Sequence, residues 1–156
     1  MRIVFEEALC DRLLHTERTY THGLADLAHM RADVHADLGF LGGDLAETVV
    51  LCASELHANA ARHGRANTPI THVLTLPTPF TLSLTVFNQQ TAPQSGVPRI
   101  PTEREETDWA WAENRRGLLL VEHLSTQWGF YAWPYWSGLG TQVWATFTLP
   151  HTPPRT

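Results

Sequence analysis

Ser54-Glu55-Leu56-His57-Ala58-Asn59-Ala60-Ala61-Arg62-His63-Gly64 is the stretch on which the reading of this chain turns. It is rich in helix formers, and Glu55 and Asn59 stand at i and i+4, so a helix would set a carboxylate and a carboxamide one turn apart on one edge. Asn is a weaker helix former than Ala because its side chain competes for backbone hydrogen bonds. Asn59 among Ala58, Ala60 and Ala61 therefore costs roughly a few tenths of a kcal/mol, which an interaction of its amide would offset. An acid and an amide oxygen in this register can hold magnesium and move a proton.

Working outward, Leu45, Val49, Cys52, Leu56 and Ala60 recur on one face as a buried stripe, with Glu55 and Asn59 on its border. Gly42-Gly43 breaks the chain upstream, Asp44 with Glu47 three residues on predicts a capping box, and Gly64 closes the helix. Residues 21–38 carry Leu24, Leu27, Ala28, Ala32, Val34 and Leu38 in a helical stripe, and residues 3–5 read as a short edge strand. Residues 70–76 and 80–87 alternate apolar and polar around Pro77-Thr78-Pro79, which predicts an antiparallel hairpin. Residues 88–108 have no period and contain Pro93, Gly96, Pro98 and Pro101, the composition of a long lid loop. A third helix is expected at 116–126, strands at 128–133 and 141–149, and a frayed tail at 151–156.

This order of elements, with amphipathic strands, predicts an α/β protein of the α+β two-layer sandwich type. The sheet is expected to be mixed but mostly antiparallel, with helices on one face, in a single domain over residues 1–150.

Composition narrows the function classes. A chain of 156 residues with 43% hydrophobic and 17% charged residues suits one folded domain. A net charge of -5 without a basic run argues against direct nucleic-acid binding. Cys10 and Cys52 are too far apart in sequence to suggest a disulfide framework or a zinc site, and no segment approaches the ~20 apolar residues of a membrane span. A soluble cytoplasmic protein is expected. His15, His22 and His29 recur every seven residues, but that spacing on a helix is roughly 10 Å, too far for one ion to join them.

The run Glu55-Leu56-x-x-Asn59-Ala60-x-x-His63-Gly64 resembles the N box of the Bergerat-fold, or GHKL, ATPases. Together with Arg116-Gly117-Leu118-Leu119-Leu120-Val121 and Gly140-Thr141-Gln142-Val143-Trp144, it makes residues 20–149 similar to the single-domain anti-sigma-factor serine/threonine kinases of bacteria. The resemblance implies ATP and Mg²⁺ as cofactors. Asn59 would give its amide oxygen to Mg²⁺, Glu55 would take the proton of an incoming serine, and His63 would orient a phosphate or cap the helix. Arg116, Gly117 and Leu118, read as a helix start with free amides, would meet the phosphate chain.

Three positions depart from the family pattern. Asn88 stands where the family has an Asp for the adenine amino group; Asn can still accept that bond, at a loss of about 1 kcal/mol. Arg115 replaces a glycine beside the phosphate path, where it binds phosphate or blocks it. Thr141 follows Gly140 where Gly-Lys-Thr is common, leaving a hydroxyl in place of a cation. The partners implied are a sigma factor and an anti-anti-sigma-like protein, with the kinase itself a homodimer. The alternative is a non-catalytic relative acting as a protein-binding transcriptional regulator. Among six tryptophans, Trp128 and Trp144 read as core, Trp109 and Trp111 as lid residues that anchor a partner, and Trp133-Pro134-Tyr135-Trp136 as an aromatic hairpin tip.

Overall fold

A computed structural model describes residues 14–64, 68–88, 109–132 and 140–150; for residues 63, 109–115 and 132 only the backbone is described. The elements are β1 (His15–Tyr20), a single 3-10 turn (Gly23–Asp26), α1 (Leu27–Asp37), α2 (Gly43–His63), β2 (Ile70–Thr78), β3 (Thr81–Asn88), α3 (Trp109–Leu124), β4 (Gln127–Ala132) and β5 (Thr141–Thr148). The strands form one sheet in the order β1-β2-β3-β5-β4, and every pairing between them is antiparallel. The expected parallel component is not found among the described strands. The helices cover one face, so the protein is an α+β two-layer sandwich.

The period of two along the strands decides which face is covered. Ile70, His72, Leu74 and Leu76 on β2, Leu82, Leu84, Val86 and Asn88 on β3, and Thr141, Val143, Ala145 and Phe147 on β5 are all buried. Val49, Cys52, Ala53, Leu56 and Ala60 of α2 close over them, as the stripe in the sequence predicts, with Leu45 only partly buried. α3 adds Leu118 and Val121.

Several expectations are corrected. The capping box does not form: α2 starts at Gly43, its N-cap Gly42 has no side-chain bond, and Glu47 instead meets His35 Nε2 of α1. Asp44 in the first turn still complements the helix dipole. In the segment read as one helix over 21–38, a 3-10 turn precedes α1, and the inward residues are Met30, Val34 and Leu38. Leu27, Val34 and Leu38 of the expected stripe do face the core, while Leu24, Ala28 and Ala32 are exposed. Trp109 and Trp111 belong to α3 and not to a lid. Trp144 lies on the outer face of the sheet over Gly129, where a Cβ would stand 2.6 Å from its ring. It is therefore not core, while Trp128 packs partly buried against the core. The expected strand at 3–5, loop residues 89–108, the tip at 133–136 and the tail at 151–156 lie outside the described residues.

β1 has no apolar alternation. Its inward side chains are Thr16, Arg18 and Tyr20, and the last two dock on α1 by polar bonds. Arg18 donates to both carboxylate oxygens of Asp37 at 2.8 and 2.7 Å, and the Tyr20 hydroxyl donates to Asp33 at 2.8 Å. The fork geometry of Arg–carboxylate pairing fixes the edge strand against the helix where apolar burial is missing.

Candidate functional site

One edge of α2 gathers most of the chemistry-bearing residues. Glu55 and Asn59 are half-buried at i and i+4, on the border of the stripe that packs on the sheet. At its upstream end this edge meets α3: a Cβ placed on Gly117 would stand 2.6 Å from Glu55 Oε2. At its downstream end it meets the sheet. Asn88, the last residue of β3 and 7% exposed, donates Nδ2–H to the Ala60 carbonyl at 3.3 Å. That carbonyl also accepts the Gly64 N–H at 2.8 Å, so it ties off the helix and holds the strand end together.

A carbonyl oxygen only accepts, so the nitrogen of the Asn88 amide must face Ala60 and its oxygen must point away. Directly across the ladder from Asn88 is Thr141, 1% exposed, with a hydroxyl that has no hydrogen-bond partner. Buried hydroxyls are rarely left without one, so a ligand polar group would complete it. Gly140, at φ 80°, lets the chain turn into β5 at this point, a conformation that a residue with a Cβ rarely adopts. Nearby, burial pushes the Cys52 thiol up to about 12, with the Glu55 carboxylate adding to it; this cysteine is an inert core residue.

On another face of α2, a histidine pair pins the helix to the sheet. His57 Nε2 lies 2.8 Å from the Gly23 carbonyl and must donate to it, so Nδ1 accepts the Nε2–H of His72 at 2.8 Å. The Tyr20 ring meets both imidazoles edge-on. His72 Nδ1 is buried without a partner. Burial holds His72 at about 3, with the neighbouring His57 adding to the effect. Burial also lowers His57, against the opposing pull of the Gly23 carbonyl and Asp26.

Both rings are neutral in the fold, whereas the unfolded chain protonates them near pH 6.5. Their contribution is therefore complete above about pH 6.5 and is lost as pH falls from there toward the depressed folded values. The expected loss is up to about 1.4 kcal/mol per pH unit for each ring, read as denaturant midpoints from pH 7.5 to 5. A flat midpoint across that window contradicts the neutral pair.

Arg116 is exposed on α3, and Leu118 is buried in the core. Gly117 and Leu118 are not at a helix start, because α3 begins at Trp109; their amides are committed within the helix, and the free-amide argument fails for them. His63 ends α2 and Arg115 lies in α3, but their side chains are outside the described residues. The Ala60 carbonyl is the site group that the sequence could not reveal. Among the described residues no three His, Cys, Asp or Glu side chains could hold a metal together, and no helix is long and apolar enough to cross a membrane. A polar depression of about 420 Å³ also runs along β1, lined in part by Arg18, His22, Asp26 and Asp33. Two of its carboxylates are already engaged: Asp33 accepts from Tyr20 and lies near Arg18 and His29, and Asp26 pairs with His22.

No protein-family model matches the chain, and no curated protein matches it significantly. Among solved structures, the mycobacterial sensor histidine kinase MprB superposes on 90% of this chain and 100% of its own, with a TM-score of 0.45 and 13% identity. That likeness is too distant to decide function.

Proposed function

We propose that the chain binds an adenine nucleotide along the Glu55–Asn59 edge of α2 and transfers its terminal phosphoryl group to a serine or threonine of a small antagonist protein. The observation that carries this reading is the pairing of Asn88 and Thr141 at the end of the sheet. The buried hydroxyl lacks a partner, and the amide beside it is turned by Ala60 to present an acceptor. An amino-purine has the donor and acceptor atoms that suit such a pair. The resemblance to anti-sigma-factor kinases extends the reading to a Bergerat-fold regulator that sequesters a sigma factor, answers to an anti-anti-sigma-like protein and works as a homodimer in the cytoplasm.

In this reading Asn59 would hold Mg²⁺ through its amide oxygen, as a hard cation takes oxygen ligands. The ion neutralises charge on the phosphates when bound. Glu55, with no side chain opposite it at Gly117, takes the proton from the serine hydroxyl as that oxygen bonds to phosphorus and the nucleoside diphosphate leaves. The exposed Arg116 adds positive charge on the neighbouring helix.

The second reading, a protein-binding regulator without catalysis, draws on the same Asn88, whose donor is spent inside the protein. Melting curves with ATP, ADP and GTP, with and without Mg²⁺, test the nucleotide site on which the kinase reading depends. A ligand at a hundred times its Kd stabilises by about 2.7 kcal/mol, so Mg-ATP should raise the melting temperature well above the GTP control. No shift with any nucleotide at millimolar concentration would remove the kinase reading.

A further inference from the structure

Gly117 sits in the interior of α3, where nothing in the backbone selects glycine. Among the described glycines only Gly23 and Gly140 have a positive φ. Glycine is also the poorest helix former after proline, so its presence here needs another cause. The space around it supplies one. A Cβ at this position would lie 2.6 Å from Glu55 Oε2, 3.6 Å from Cδ and 3.7 Å from Cβ. Cδ and Cβ would tolerate that Cβ; the carboxylate oxygen would not.

We infer that Gly117 is a positioning residue: the missing side chain leaves a notch in α3 that sets where the Glu55 carboxylate rests. This deepens, and rests on, the reading of Glu55 as the proton acceptor. Among the described residues the only atom that a methyl group in the notch would displace is the tip of a flexible side chain. The helices therefore keep their packing while the acid swings away from its post. An isolated structural role would give the opposite pattern, a less stable protein with an unmoved acid.

The test is Gly117→Ala in the full chain. The melting temperature should hold or rise, and KM for ATP should stay within about twofold, while kcat falls about a hundredfold, the cost of a misplaced group. In a Glu55→Gln background the same substitution should cause no further loss of the residual transfer, because the group it displaces is already disabled. Wild-type kcat in Gly117→Ala, or an equal additional loss in the Glu55→Gln background, would overturn the inference.

Should the wild-type chain transfer no phosphoryl group, the proposed function fails on its own account, and proton–nitrogen NMR then decides the notch. The Gly117 amide resonance should move when the facing carboxylate is replaced in Glu55→Gln. A resonance unaltered by Glu55→Gln overturns the inference whether or not the protein is a kinase.

Discussion

Glu55→Gln is expected to abolish phosphoryl transfer, lowering single-turnover rates by about 10²- to 10⁴-fold, the usual contribution of a positioned base. Gln is nearly the same size as Glu, so the space opposite Gly117 stays filled and the α2–α3 contact is kept. Removing a negative charge close to the phosphates leaves nucleotide affinity unchanged or tighter. The separation of rate from affinity is the informative part. If affinity and rate fell together, Glu55 would be a binding residue and another group would be the base.

The second large effect is expected at Asn88. The family resemblance makes Asp the obvious residue to restore there, yet Asn88→Asp should harm this protein. The amide nitrogen now donates to the Ala60 carbonyl from a buried position; an ionised carboxylate would face that carbonyl with two acceptors and no proton between them. An unpaired buried polar group costs about 1–3 kcal/mol, more when charged, so a loss of about 3 kcal/mol in denaturant unfolding at neutral pH is expected. Protonation would restore a donor, so the deficit relative to wild type should shrink as pH is lowered. The same loosening of the helix end should weaken ATP binding. An Asp variant as stable as wild type, with tighter ATP binding, would show that the Asn88–Ala60 bond does not fix the site.

How much of this was legible in the residues follows from the kind of signal each element carries. α2 and the β2–β3 hairpin bury apolar faces at their natural periods, so Val49, Cys52 and Leu56, or Leu82, Leu84 and Val86, declare themselves. β1 does not, because Arg18 and Tyr20 fill its inward positions and its attachment to Asp33 and Asp37 is polar and long-range. The start of α3 was hidden by Trp109-Ala110-Trp111-Ala112, whose alternation has the period of a strand.

The site was legible in the same uneven way. Glu55 and Asn59 are neighbours on one helix, so sequence spacing alone places them together. Gly117 was identified for a property of its backbone, when what matters is the side chain of a residue far away in sequence. Asn88 could be matched by position to a base-reading Asp, but its bond to Ala60 depends on how β3 ends against α2, which spacing does not encode. The histidine pair went unrecognised because His57 and His72 join a helix to a strand, with neither residue marked by a motif.

The most direct measurement of the central claim is proton–nitrogen NMR mapping of the whole chain with a non-hydrolysable Mg-ATP analogue. Saturable shifts are expected, concentrated at the side-chain amides of Asn59 and Asn88 and the backbone of Gly117 and Thr141. Saturable shifts confined to the depression along β1, or no shifts at millimolar analogue, would contradict that claim.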